Sequence, residues 1–416
     1  MGPPPQPIQD LLHTVECISV TDVYGLQRLG ASLNGSDSSS NHTRNKTPTH
    51  RWLKSTDAFA ARIEKIWRKS VETKKQPPES AGGNDTSSSA NTSATLSSGL
   101  RPDQVPENFI VALIDDGVDT MTEHLTGRIL PGRTFGFEGD RNLPWYASES
   151  GHGTVIASMI ARICPMAKIY PIRLNTGAKL KAGVGAMINV ASAAHAIRAA
   201  VNRGAKIISM SWSINRPSDE LGEIFEKALE YALKKNVLMF CSSRDSGHDG
   251  SITYYPAAYR RDSVIKMGAA QPTGLPYEWA GQLANLDFIL PGVEVVPPST
   301  FRNVEAMGPE TGSSVATALG AGLAALIIYC AKMNKMFGSG GNRISDNDIN
   351  RLQKAEFMIQ TIQKFGMSTS EGTKNKFVEV WKKLDDKTKK LVGATRSEER
   401  EIVAQLARDL ISPSAS

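Results

Sequence analysis

Cysteine is scarce in this chain of 416 residues: Cys17, Cys164, Cys241 and Cys330 are the four, far apart and in no metal-ligand spacing. That excludes a disulfide scaffold and a cysteine-rich metal site. Cys164 and Cys330 lie in or beside apolar helical stretches, where a cysteine reads as a buried free thiol. Long apolar runs are also missing. The best, Leu319 to Tyr329, is about half of the ~20 residues a membrane-spanning helix needs. The N-terminus, MGPPPQPIQDLLHTVEC, lacks the basic segment and apolar core of a secretory signal. Gln6 stands where a myristoylation motif has Ser or Thr. Nor is there a strong excess of one charge: the net value of +6 permits acidic partners but does not demand nucleic acid. Five Asn-x-Ser/Thr sequons, at Asn34, Asn41, Asn45, Asn84 and Asn91, read as part of a Ser/Thr/Asn-rich filler. An intracellular protein is expected.

The chain divides by texture. Residues 1–107 are largely Ser/Thr/Asn-rich. Residues 31–50 and 73–100 carry too few large apolar side chains to offset the entropy of ordering, which predicts disorder. Between them Trp52, Leu53, Phe59, Ile63, Ile66 and Trp67 recur at helical spacing, predicting one amphipathic helix over about 51–71. From 108 to 335 strand-like and helix-like stretches alternate. Phe109 to Ile114 is a continuous apolar run ending in Asp-Asp-Gly, as expected of a strand buried on both faces. Similar runs begin at Ala167, Lys206, Val237, Ser263 and Asp287. Helical patterns cover 186–203, 218–235 and 313–332. Alternating βα units imply an α/β fold of three layers, α/β/α, with a mostly parallel central sheet and ligands at the carboxyl ends of its strands. Residues 336–416 read as a helical C-terminal extension with a lysine-rich, solvated face.

Three segments carry chemistry. Asp115 closes the apolar run and is followed by Asp116 and Gly117; alone this is often only a turn. Gly151-His152-Gly153-Thr154 sets a histidine between glycines at a helix start. Thr311-Gly312-Ser313-Ser314 puts a serine at the head of a helix, where its amide and the helix dipole can stabilise an oxyanion. The order Asp115, His152, Ser314 is that of one known class of serine peptidase. Three more stretches match in register: Ser209-Met-Ser211-Trp212, Tyr255-Pro256-Ala-Ala-Tyr259 and Leu290-Pro291-Gly292-Val293. On these six landmarks residues 108–335 resemble the subtilase family, in its intracellular fungal-type branch.

The resemblance implies a subtilisin-like fold and a serine endopeptidase with Asp115, His152 and Ser314 as catalytic triad, acting on a protein or peptide substrate without a cofactor. It implies substrate pairing beside Ser211, Trp212 and Ser213 and a specificity pocket lined by Tyr254, made shallow by that side chain. It also implies limited proteolysis of a partner in self/non-self recognition or regulated cell death. No loop matches a calcium site of the family, and no metal is expected. Residues 1–100 lack the α/β pattern of the family's pro-domain. At the position of the family's oxyanion-hole Asn stands Asp245. Loss of such a donor costs about 2.7–4 kcal/mol, so Asp245 is expected to act as a protonated, neutral donor in an enzyme of modest activity. The alternative is a catalytically silent subtilase fold that binds partners.

Overall fold

The computed structural model describes residues 50–72, 109–176, 188–217, 219–245, 254–260, 262–298, 308–338 and 343–412. The predicted disorder over 31–50 and 73–100 lies outside these residues except at His50, which is buried with its Nε2 2.8 Å from the Val293 carbonyl oxygen; the five sequons and Cys17 also lie outside. The strands are β1 Ile110–Asp115, β2 Arg133–Thr134, β3 Phe137–Glu138, β4 Arg141–Asn142, β5 Lys168–Arg173, β6 Ile207–Met210, β7 Ile214–Asn215, β8 Leu238–Ser242, β9 Tyr254–Tyr255, β10 Ile265–Ala270 and β11 Phe288–Pro291. The helices are α1 Arg51–Glu72, α2 His152–Ile163, α3 Val190–Asn202, α4 Asp219–Lys234, α5 Ser313–Phe337, α6 Asp346–Arg351, α7 Ala355–Gln363, α8 Trp381–Lys390 and α9 Arg396–Ile411.

Seven strands form one sheet in the order β11-β10-β8-β6-β1-β5-β2, and every pairing in it is parallel. The alternation of side chains explains its three layers. On β1, Val111 and Leu113 join one apolar cluster with α2 and α5, whereas Ile110, Ala112 and Ile114 join the other with α3 and α4. Both faces of the strand are covered, so it reads as an unbroken apolar run. The expected α/β/α fold with a mostly parallel sheet is therefore the fold observed.

α5 runs through the middle of the first face. Small residues let it approach closely: a methyl on Gly320 would sit 2.8 Å from the Met267 side chain and one on Gly322 2.9 Å from Ile163. At 25 residues it exceeds the predicted 313–332 and is, by length and composition, long enough to cross a membrane. Its most apolar window is 94% buried inside the protein, which makes it a core helix.

Residues on both sides of the βα region close the same core. Trp52, Phe59 and Ile63 of α1 share the α2/α5 cluster with Val403, Leu406 and Leu410 of α9. The C-terminal residues are thus packed into the body. Asn334 of α5 donates to the carbonyl of Ala404 at 3.2 Å and accepts from the Ile344 amide at 2.7 Å. Ile289 of the edge strand β11 donates to the Lys376 carbonyl at 2.9 Å, so a C-terminal loop covers that edge. α1 is fastened by charge as well: Arg162, in the last turn of α2, makes two bonds of 2.7 Å to the Asp57 carboxylate.

Candidate active site

The carboxyl ends of β1, β6 and β8 open onto one edge of the sheet, and the starts of α2 and α5 converge there. Asp115 is the last residue of β1 and is buried. Its Oδ1 lies 2.8 Å from Nδ1 of His152, the first residue of α2. Oδ1 also accepts from the Asp116 amide at 2.9 Å. The Asp115 contact engages Nδ1 of His152, so the proton exchanged with a reacting hydroxyl would travel through Nε2. Ser314 is the second residue of α5; its hydroxyl donates to the Ser211 carbonyl at 3.3 Å, and the Ser211 hydroxyl donates to the Ser314 carbonyl at 3.3 Å. The Ser314 amide makes no hydrogen bond among the described residues.

Burial pushes the Asp115 carboxyl up, against the pull of His152. For His152, burial works to lower the pKa. The Asp115 charge, its hydrogen bond, and the nearby Asp116 and Glu310 outweigh burial, so the imidazole sits above its ordinary value.

Asp116 has a role that the sequence reading assigned only to a turn. It accepts from Ser148 Oγ at 2.6 Å, Ser150 N at 2.8 Å, Ser150 Oγ at 2.7 Å and Gly153 N at 2.9 Å. Against the cost of burial, those donors hold its carboxyl below the usual range. The loop before α2 is thereby tied to the end of β1, fixing where His152 begins its helix. The same approach requires Gly153. A methyl there would lie 2.0 Å from the Gly117 carbonyl oxygen and 2.8 Å from Asp116 Oδ1. The doubled aspartate in Asp115-Asp116-Gly117 marks the position, but its partners, residues 148–153, carry no local signal.

The other expected site residues occupy distinct surroundings. Ser211, Trp212 and Ser213 follow β6 and are buried. The Trp212 indole turns into the core, donating to the Ile114 carbonyl at 2.9 Å and packing near Phe225. Its contribution to any substrate contact is restricted to backbone. Tyr254 is half-buried in β9, paired antiparallel with Asn215 of β7. The Arg244 guanidinium lies over its ring, 4.4 Å from the centroid, and donates to its hydroxyl. Sequence reasoning did not foresee this Arg244–Tyr254 stack.

Asp245 lies against the first residue of α5. Its Oδ2 accepts from the Ser313 amide at 2.6 Å and its Oδ1 accepts from the Ser313 hydroxyl at 2.5 Å. Two short bonds into a helix N-terminus are the environment of an ionised carboxylate. The Ser313 hydroxyl also accepts from the Ala269 amide at 3.0 Å, which ties the start of α5 to β10. Both carboxyl oxygens of Asp245 are thus engaged with Ser313 at the head of α5. No group of three or more His, Cys, Asp or Glu suited to a metal ion occurs among the described residues.

Residues 107–366 match the profile of the Subtilase family. The chain belongs to the subtilase family. It is 31% identical to fervidolysin of Fervidobacterium pennivorans over 218 residues, covering 49% of this chain and 30% of that protein. It is 26% identical to subtilisin DY of Bacillus licheniformis over 235 residues, covering 53% of this chain and 77% of that protein. The chain thus spans less than a third of the length of fervidolysin. A crystal structure of a lanthipeptide protease superposes with a TM-score of 0.52 at 20% identity, over 67% of this chain and 88% of that one, a likeness of fold.

Proposed function

We propose that this subtilase is a serine endopeptidase in which Asp115, His152 and Ser314 act as a triad. The observation that carries the reading is the 2.8 Å bond between Asp115 and His152 Nδ1, on the same sheet edge as a serine at the head of a buried helix. In this mechanism Ser314 Oγ attacks a peptide carbonyl while His152 takes its proton. The tetrahedral oxyanion is met by the Ser314 amide. His152 then gives the proton to the leaving amine, the acyl-enzyme forms, and water reverses the sequence. Asp115 holds the imidazole in the tautomer that presents Nε2 and stabilises its charged form. An extended substrate would pair with the backbone of Ser211–Ser213.

Tyr254, expected to line the specificity pocket, carries the Arg244 guanidinium on its ring, and this supports limited cleavage of a particular partner over general digestion. Three described cysteines, Cys164, Cys241 and Cys330, are free and buried. They suit a reducing, intracellular setting. In such a setting the enzyme would switch a partner protein by cutting it, as in self/non-self recognition or regulated cell death.

One observation favours a second reading, a silent subtilase fold that binds partners. The Asp245 carboxylate lies at the same helix terminus that must stabilise an oxyanion. A fluorophosphonate probe separates the two. The protease reading expects covalent labelling of Ser314, lost in Ser314→Ala. A folded protein that is never labelled and cuts no peptide between pH 5 and 9 would leave the binding reading standing.

A further inference from the structure

Two side chains hold the ends of the short segment 293–296, which follows β11. His50 stands at the start of α1, where its carbonyl accepts from the Lys54 amide at 3.1 Å. Its ring is buried. A carbonyl can only accept, so Nε2 donates to the Val293 carbonyl at 2.8 Å. At the other end, the Val296 carbonyl accepts from Arg162 Nη1 at 3.1 Å. The same guanidinium forks onto the Asp57 carboxylate of α1. One side chain thus joins α1, the last turn of α2 and residue 296.

Between those two ends the segment carries the approach to α5. The Val295 amide donates to the Glu310 carbonyl at 2.9 Å, and the Glu310 amide to the Val295 carbonyl at 2.8 Å. The Glu294 amide donates to Thr311 Oγ1 at 2.9 Å, and the Gly312 amide to the Gly292 carbonyl at 2.7 Å. Ser313 and Ser314 follow at once. Glu294 has a φ of 51°, in the left-handed region that residues other than glycine rarely adopt. Such a conformation persists only where its surroundings over-determine it. The side-chain bonds at Val293 and Val296 supply those surroundings.

We propose that His50, Asp57 and Arg162 are positioning residues for Ser314. They brace the 293–296 segment, and through it the turn at 310–312, so that Ser314 keeps its place relative to His152. α1 holds Val293 directly through His50, and Val296 through the Asp57–Arg162 fork. Arg162 belongs to the helix that begins with His152, so one guanidinium ties the helix bearing the base and the turn bearing the nucleophile to a common support. A fork of two charge-assisted bonds fixes direction as well as distance, which a lysine does not. His50 and Asp57 lie outside the residues that match the family, so the brace reaches the subtilase region from beyond it. The role rests on the protease reading and deepens it.

The test uses the full chain, with kcat and KM on a cleaved peptide and the rate at which a fluorophosphonate labels Ser314. Arg162→Met keeps the apolar stem and loses the bonds to Asp57 and Val296. It should lower kcat and the labelling rate by about tenfold or more, with KM within about threefold of wild type, because a misplaced nucleophile acts on the transition state. Arg162→Lys should fall between the two. His50→Gln keeps a donor for Val293 and should stay within about threefold of wild type, whereas His50→Ala should lose about tenfold. Ser55→Ala removes the bond from α1 to Asp385 and reports on loosened docking alone: it should lower the melting temperature and leave labelling unchanged. Amide exchange at Val295, Glu310 and Gly312 should quicken in Arg162→Met and His50→Ala but not in Ser55→Ala. Labelling rates that track melting temperature across all the variants would overturn the brace and leave the protease reading intact. So would unchanged labelling in folded Arg162→Met or His50→Ala. A folded wild-type protein that is never labelled would remove the protease reading, and with it the role assigned to these residues.

Discussion

Asp245 accepts both the amide and the hydroxyl proton of Ser313, at 2.6 and 2.5 Å, immediately before Ser314. The carboxylate caps α5 and at the same time sets a negative charge where an oxyanion must form. The two effects separate in mutants. Asp245→Asn keeps an acceptor for the Ser313 amide and removes the charge, so kcat should rise by about tenfold or more, with a loss of about 1 kcal/mol in stability. Asp245→Ala removes the cap and should cost about 0.5–2 kcal/mol. Steady-state kinetics and urea unfolding on the same preparations measure both. A collapse of kcat in Asp245→Asn would show that the carboxylate itself is needed for turnover.

Asp116 should matter almost as much as the residues that touch substrate. Asp116→Asn turns one of its two acceptor oxygens into a donor facing Ser148, Ser150 or Gly153, leaving a buried polar pair mismatched. The expected cost is about 2–3 kcal/mol in stability. A fall in kcat should accompany it, because the start of α2 is no longer tied to β1. Since the folded pKa of Asp116 is held low, its stabilisation is present above about pH 4 and fades as pH falls through the folded value. Acid unfolding of wild type and variant should therefore converge at low pH.

The raised pKa of His152 fixes the acid side of the activity profile. The imidazole must be neutral to accept the Ser314 proton, so kcat/KM should fall as pH drops through a midpoint above about 6.5. The groups that lift it are Asp115 and Asp116 from the end of β1 and Glu310 from the turn before α5. Glu310→Gln should move the midpoint to lower pH. For the fold the sign is opposite. The contribution of protonated His152 is complete below its unfolded value and is lost as pH rises through the folded one.

Gly153→Ala should be destabilising by about 1–3 kcal/mol, because the added methyl meets the Gly117 carbonyl oxygen, a backbone atom that cannot rotate away. The His152–Asp115 bond depends on the same approach. A Gly153→Ala protein with unchanged melting temperature and activity would show that the loop yields.

Phe59→Ala tests whether α1 is part of the fold. Phe59 is fully buried against the α2/α5 layer, and truncating such a residue costs about 3–5 kcal/mol. Equilibrium urea unfolding is the measurement. A change below about 1 kcal/mol would mean that α1 docks without contributing to the core.

The parts of the fold that were legible are those where local pattern and tertiary role coincide. β1 reads as a doubly buried strand because each face meets a layer of helices, and α1 reads as amphipathic because one stripe of it is buried. The positions of Asp115, His152 and Ser314 at the ends of elements follow from the same patterns. What could not be read were partnerships across the chain. Nothing local to Asp116 announces four donors from residues 148–153, and nothing near Arg244 foretells its stacking on Tyr254. Asp245 was legible as a departure from the family. Its engagement with Ser313 was not, because it depends on a residue 68 positions away. The extent of α5 was underestimated because Asn334, near its end, is held by hydrogen bonds to Ile344 and Ala404, which the local sequence does not announce.

The docking of α1 also sets a timetable for biosynthesis. Ser55 donates to Asp385 at 2.6 Å across 330 residues, and the apolar stripe of α1 shares its cluster with α9. On a growing chain α1 is made more than 300 residues before its partners in α8 and α9. A ribosome-bound nascent chain therefore carries an uncovered Trp52–Phe59–Ile63 stripe until α9 has emerged, a surface suited to chaperone capture. The layer that supports His152 is complete only once α9 is in place.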